Sequence, residues 1–376
     1  MSDSIQLFTP VFRTEEVLAE IRQCLEKGWT GIGYKTVEFE EAWKKYTGLP
    51  NACFLNSATA GLHLAMHQLS YGWSDGDEVI TTPITFVSTN HPILYERLTP
   101  VFADVDQYMC LDPDSVEEQI TPRTRAVVFV GLGGNVGQYA KIWEICQSHG
   151  LKLILDAAHM AGTRWLDGDH VGATADVSVF SFQAVKNLPT GDSGMICWAD
   201  PEMDAQSRKL SWMGIDKDTY ARSSGTGYSW EYDVENVGWK YNGNSIMAAM
   251  GLVALQYLDD DNQHRRNIAA LYDKLLAGVC ESVPMSPDCI PSRHLYQVLV
   301  DNRNEVVNAL KLAGVGTGVH YVDNTQYPMY HGYYLPRATE ASNRLLSLPM
   351  HLKMRSVEVG RVAEELRKAI EGVKTK

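Results

Sequence analysis

Seven short runs of branched, aromatic and other apolar residues recur along the first half of the chain, at 52–55, 78–81, 100–103, 126–130, 151–156, 177–182 and 195–198. Each is nearly unbroken by a polar side chain. A strand with one wet face alternates apolar and polar residues, whereas a continuous apolar run needs cover on both faces. Stretches with helical spacing lie between the runs, among them 59–69, 86–95 and 138–149. Strand then helix, repeated, predicts an α/β fold: a mostly parallel central sheet covered by helices on both sides.

The pattern changes near residue 200. Residues 205–243 are dense in Gly, Ser and Tyr, and carry Tyr220, Tyr228, Trp230, Tyr232, Trp239 and Tyr241. A helical stretch follows at 244–279, then apolar runs at 295–300 and 315–321, helical spacing at 305–313, and an amphipathic stretch at 357–370. This predicts a smaller C-terminal α+β domain. The 376 residues exceed the roughly 250–300 at which single cores usually stop growing. We divide the chain into a large domain, 1–260, and a small one, 261–376.

Composition narrows the partners. The chain has 33 Lys plus Arg against 46 Asp plus Glu, a formal charge of −13. That excess of acid argues against a broad surface for nucleic acid or anionic lipid, but leaves room for a small anion held by a few local donors. The seven cysteines are scattered and never form a C-x-x-C pair, so neither a zinc ribbon nor a disulfide scaffold is expected. No metal is expected. No run approaches the ~20 apolar residues of a membrane span. The first sixteen residues lack the basic start and apolar core of a secretory signal, so the expected location is cytoplasmic.

Ligands of an open parallel sheet bind where strands end and loops lead into helices. Three such places carry chemistry. After 52–55 comes Asn56-Ser57-Ala58-Thr59-Ala60-Gly61, then a helix. Free amides at a helix start suit a phosphate, although Ser57 or Thr59 could simply cap the helix. The fifth run ends in Asp156, an expensive acid to bury without a partner. The sixth is followed by Lys186 and a Gly/Pro/Ser-rich segment able to fold over it. A surface lysine is the bland reading. A desolvated lysine is a nucleophile toward carbonyl carbon. An anion site, a buried acid and a buried lysine together match the needs of pyridoxal 5'-phosphate. A rival signal, Gly131-Leu132-Gly133-Gly134-Asn135-Val136-Gly137, misses the third glycine of a dinucleotide fingerprint and follows the fourth strand rather than the first. A tight turn is expected there.

These residues, in this order, resemble the pyridoxal-phosphate-dependent sugar aminotransferases of the DegT–DnrJ type, within fold type I, the aspartate-aminotransferase fold. The resemblance runs nearly end to end. It includes Asn56-Ser57-Ala58-Thr59-Ala60-Gly61-Leu62, Thr85-Phe86-Val87, Asp104-Val105-Asp106 and Asp156-Ala157-Ala158-His159. Phe180-Ser181-Phe182 with Lys186-Asn187, Gly238-Trp239-Lys240-Tyr241-Asn242 and His320-Tyr321 complete it.

The resemblance implies that Lys186 bonds the cofactor and Asp156 partners its ring nitrogen. It puts His159 beside the ring oxygen, Ala58, Thr59 and Ser181 at the phosphate, and Phe86 against the ring. Asn242 would reach the phosphate from a partner subunit, so a homodimer with shared sites is expected. The substrates implied are glutamate and a nucleotide-linked keto-deoxysugar, for cell-surface glycan (O-antigen, lipopolysaccharide) or other amino-sugar synthesis. For the sugar side we name Arg222, Trp230, Lys240, His320 and Tyr321, with packing of a dimer interface the equal alternative for the aromatic rings of the 211–239 loop. A related dehydratase carries histidine in place of the lysine, so Lys186 favours transamination. A dehydratase or deoxygenase, or a non-catalytic cofactor-binding sensor, are the alternatives.

Overall fold

The computed structural model describes residues 4–217, 219–223 and 230–374. All seven apolar runs become strands of one sheet. Across it the order is Cys53–Leu55, Gly194–Trp198, Val177–Ser181, Lys152–Asp156, Thr124–Val130, Glu78–Thr81 and Thr99–Phe102. The five strands from Val177–Ser181 to Thr99–Phe102 are parallel. Gly194–Trp198 runs against both its neighbours.

Alternation along each strand splits its side chains between two cores. Val127, Phe129, Leu153, Leu155 and Phe180 enter one, with Phe39 and Trp43. Val128, Ile154, Val179 and Trp198 enter the other, with Leu62 and Leu64 of the helix Ala58–Leu69. The first core is closed by the helices Tyr34–Thr47 and Ser245–Leu276. They approach closely because Gly251 has no side chain: a Cβ there would lie 2.6 Å from the Phe39 ring.

The C-terminal sheet is antiparallel and three-stranded, in the order Leu345–Leu348, Tyr296–Leu299, Glu281–Ser282. Its core gathers Ile268, Tyr272, Val298, Leu310, Leu346 and Leu366. The long helix serves both cores, with Ala248 and Leu258 in the first and Ile268 to Leu276 in the second. We propose that the two units divide inside this helix. Ile5 packs into the second core, so the N-terminal arm belongs with the smaller unit.

Two expectations need correction. The run 315–321 is not a strand: Val315 and Gly318 each form one isolated bridge, to Ile5 and Ser347. Glycines at 314, 316 and 318 weaken strand pairing there. The helical stretch 86–95 is broken into a 3-10 turn, Val87–Thr89, and a short helix, His91–Tyr95, with Pro92 in its first turn. Among the described residues no helix is long and apolar enough to cross a membrane.

Candidate active site

Asp156 pairs with Val179 across two neighbouring parallel strands, so the loops leaving both strands open on the same side of the sheet. There a cleft of about 410 Å³ is lined by Ala58, Thr59, Phe86, Asp156, His159, Ser181, Lys186, His320 and Tyr321, among others. Nine predicted residues, distant in sequence, thus share one cavity. A larger cleft of about 1110 Å³, lined by Asp106, Asp112, Glu281 and Arg337, contains none of them.

Asp156 is 4% exposed. Its Oδ2 accepts the Thr89 hydroxyl at 2.7 Å and its Oδ1 the Ala158 N–H at 3.1 Å. Burial pushes its carboxyl above the usual range, against those two bonds and the charge of Lys186. Burial also pulls the Lys186 amine down to about 8, and Asp156 opposes that. Both groups are driven toward their neutral forms. A cation placed against Asp156 restores its charge, which suits a protonated ring nitrogen.

His159 is fixed at both ring nitrogens. Its Nδ1 accepts the Gly133 N–H at 3.2 Å, so in the neutral ring Nε2 carries the proton, 3.3 Å from the Tyr321 hydroxyl. Burial, then the charges of Lys186 and His320, holds its pKa well below the ordinary value. The Gly131–Gly137 segment is the turn expected, with Gly133 at φ 66° and Gly134 at φ 92°. Its hold on His159 is a tertiary contact that the glycine pattern alone does not announce. His294 carries no sequence signal either: its ring centroid lies 4.3 Å from that of His159, and its Nδ1 meets Asn187 Oδ1 at 2.9 Å. His320 is lowered to about 4 by burial and by Lys186, and bonds Ser347 through Nδ1. Phe86 is half-exposed at the cleft, its ring centroid 6.0 Å from that of Tyr321.

At the start of the helix Ala58–Leu69 the Ser57 hydroxyl accepts from the Ala60 N–H at 3.1 Å. Ser57 is therefore the cap, and the first-turn amides of Ala58 and Thr59 are left at the cleft wall. A Cβ on Gly194 would sit 2.6 Å from Ala58 N, so glycine is needed for the loop to rest on the sheet. Helix-start amides, the Thr59 and Ser181 hydroxyls, a buried acid, a depressed lysine and an aromatic ring in one cleft fit pyridoxal phosphate as a donor set. Thr89, Ser57 and Gln183 also line it. The side chain at 57 was legible as a cap, but nothing in the sequence marks Thr89.

Four predicted residues lie outside this cleft. Lys240 places its ammonium 3.0 Å from the Trp212 ring centroid. Asn242 bridges to Leu55, and no described residue hydrogen-bonds its buried Oδ1. Asn242 instead lines a second cavity, with Arg208, Trp212 and Lys217. The Arg222 guanidinium lies 4.8 Å from the Tyr232 ring centroid, and Trp230 is 75% exposed. Tyr228 lies outside the described residues.

A fold and cleft of this kind suit a pyridoxal-phosphate-dependent enzyme, and comparison with known proteins makes the class a sugar aminotransferase. The sequence pattern of the DegT/DnrJ/EryC1/StrS aminotransferase family matches residues 12–367, and the chain belongs to that family. It is 37% identical to the spore coat polysaccharide biosynthesis protein SpsC of Bacillus subtilis, over 96% of each chain. It is 34% identical to the dTDP-4-dehydro-2,3,6-trideoxy-D-glucose 4-aminotransferase of Saccharopolyspora spinosa, over 98% of this chain and 97% of the relative. The PLP-form of a putative sugar aminotransferase, Spr1654 of Streptococcus pneumoniae, superposes with a TM-score of 0.90 at 30% identity, over 98% of this chain and 99% of that one.

Proposed function

We propose that this chain transfers an amino group from glutamate to the 3- or 4-keto carbon of a nucleotide-linked deoxysugar, as a homodimer supplying an amino sugar for a cell-surface or other glycan. The observation that carries the reading is Lys186 facing the cleft of Asp156, its amine lowered to about 8 by burial. A base poised near working pH can both take and return a proton.

When bound, pyridoxal phosphate supplies an electron sink and carries nitrogen between the two substrates. Asp156 holds the proton on the ring nitrogen. His159, neutral and with its Nε2 proton fixed, orients the ring oxygen. Ala58, Thr59 and Ser181 bind the phosphate, joined by Asn242 of the partner subunit. Phe86 covers the ring. With the cofactor bound, Lys186 would serve as the base that takes the donor's α-proton and as the acid that returns it, in each half-reaction. His320 and Tyr321 border the sugar, with Arg222, Trp230 and Lys240 reaching its nucleotide across the dimer. A lysine at 186 supports transamination over dehydration.

The Saccharopolyspora relative's name specifies a dTDP-linked 4-keto sugar, which makes that class the first to test. Purified protein with pyridoxal phosphate, glutamate and a panel of nucleotide-linked 3- and 4-keto deoxysugars is followed by mass spectrometry. An amino sugar with matching 2-oxoglutarate supports the reading. A dehydrated or deoxygenated sugar, or no product from any member, overturns it.

A further inference from the structure

Asp156 belongs to a longer hydrogen-bonded chain than its role at the cofactor requires. The single proton of the Thr89 hydroxyl is committed to Asp156 Oδ2 at 2.7 Å. The Thr89 oxygen can then only accept, so the Thr85 hydroxyl, 2.8 Å away, is the donor of that pair. The Thr85 carbonyl receives Asn324 Nδ2 at 2.8 Å, and Asn324 Oδ1 receives Asn90 Nδ2 at 3.0 Å. Asn90 Oδ1 in turn accepts from Thr81 Oγ1 at 2.6 Å. Every one of these five side chains is at most 2% exposed. With water excluded, each hydrogen has one place to go, and the hydroxyl dipoles at 85 and 89 both point at the carboxylate. Asn324 sits three residues beyond Tyr321, so the turn carrying Phe86 and the segment carrying Tyr321 are held by the same network.

We propose that Thr89, backed by Thr85, is a positioning residue that orients Asp156 and keeps it a carboxylate toward the ring nitrogen of pyridoxal phosphate. This rests on the assignment of Asp156 to that nitrogen. Of the interactions that favour the charged carboxylate, the Thr89 bond is the strongest, set against a larger cost of burial. Without it Asp156 shifts toward its protonated form and loses its hold on the ring-nitrogen proton. A threonine that merely satisfies a buried acid would affect packing and stability, but would not care what atom occupies the ring position.

The test is cofactor binding, which is independent of the sugar. Thr89→Val keeps the shape and removes the hydroxyl; Thr89→Ser keeps the hydroxyl; Thr85→Val removes only the second donor. Dissociation constants are measured by absorbance for pyridoxal phosphate and for its 1-deaza analogue, in which carbon replaces the ring nitrogen. A hydrogen bond to a charged group predicts about 10-fold weaker binding of pyridoxal phosphate by Thr89→Val, and about 3-fold by Thr85→Val. The analogue's affinity should be unchanged in both, and Thr89→Ser should restore the first loss. Equal losses for the two ligands, or none for pyridoxal phosphate, would overturn the proposal. Should Thr89→Val not fold, the Thr85→Val pair of constants decides. Wild-type protein that binds neither ligand would instead refute the cofactor site itself.

Discussion

The cleft around Asp156 and Lys186 and the segment around 211–242 are both assigned to the proposed site, yet they differ in how far one chain completes them. In the cleft, side chains from separate strand ends and from the small unit converge on a 410 Å³ space. In the other region Lys240, Asn242, Arg222 and Trp230 point elsewhere: onto Trp212, toward a second cavity, onto Tyr232 and into solvent. A buried acid and a partly desolvated amine are costly alone, so the fold must build their surroundings itself. A nucleotide-binding edge has no such demand and can be left for another subunit to finish. On the proposed reading the acid, the amine and most cofactor contacts come from one chain, whereas the roles proposed for Asn242, Lys240, Arg222 and Trp230 require a second subunit.

The largest effect expected is at Lys186. Lys186→Ala should lower turnover by about 10⁴-fold or more, since both half-reactions lose their proton carrier. Steady-state kinetics with glutamate and the sugar checks this, and a loss below tenfold would break the local half of the comparison. Asp156→Asn keeps the shape and loses the charge. Turnover should fall by about 100- to 1,000-fold while circular dichroism stays that of the wild type.

The same variant sharpens the electrostatics. Lys186 titrates near 8 because burial depresses it while Asp156 partly restores it. Only the neutral amine captures the cofactor, so the capture rate of the apoprotein should rise with pH through about 8 and then level. Removing the Asp156 charge should move that midpoint to lower pH. A shift to higher pH would mean that the carboxylate does not face the amine.

The segment 211–242 is tested by mixing. Lys186→Ala and Asn242→Ala subunits, each inactive alone, should recover activity after verified exchange, because one hybrid site carries neither lesion. No recovery would return Asn242 to a structural role. The smallest effect is on the sugar alone: Trp230→Ala or Arg222→Ala should raise its KM by about 10-fold, the worth of one stacking or charge contact. Glutamate KM and the dimer should stay unchanged. A weakened dimer with sugar KM intact would leave these residues to packing.

The same physics decides how much is legible in the sequence. Unbroken apolar runs announce strands covered on both faces, and all seven are strands. Asp156 and Lys186 stand out because polar groups at the ends of such runs need a reason. Thr89 does not, since a threonine in a turn is ordinary until tertiary contact sets it 2.7 Å from a buried carboxylate. His294 lies 135 residues from His159 in sequence, and only the packing of the small unit on the sheet brings the rings together. The run 315–321 misleads because its branched residues suggest a strand while alternate glycines deny it pairing.

The central claim is that Lys186, half-buried in the cleft it shares with Asp156, is the residue that carries the cofactor. Holoenzyme reduced with borohydride, digested and mapped by mass spectrometry tests it most directly. The account predicts a yellow protein whose phosphopyridoxyl label falls on the peptide containing Lys186 and is absent from Lys186→Ala. A label on Lys240 or any other lysine, at full occupancy and with Lys186 unmodified, would contradict it.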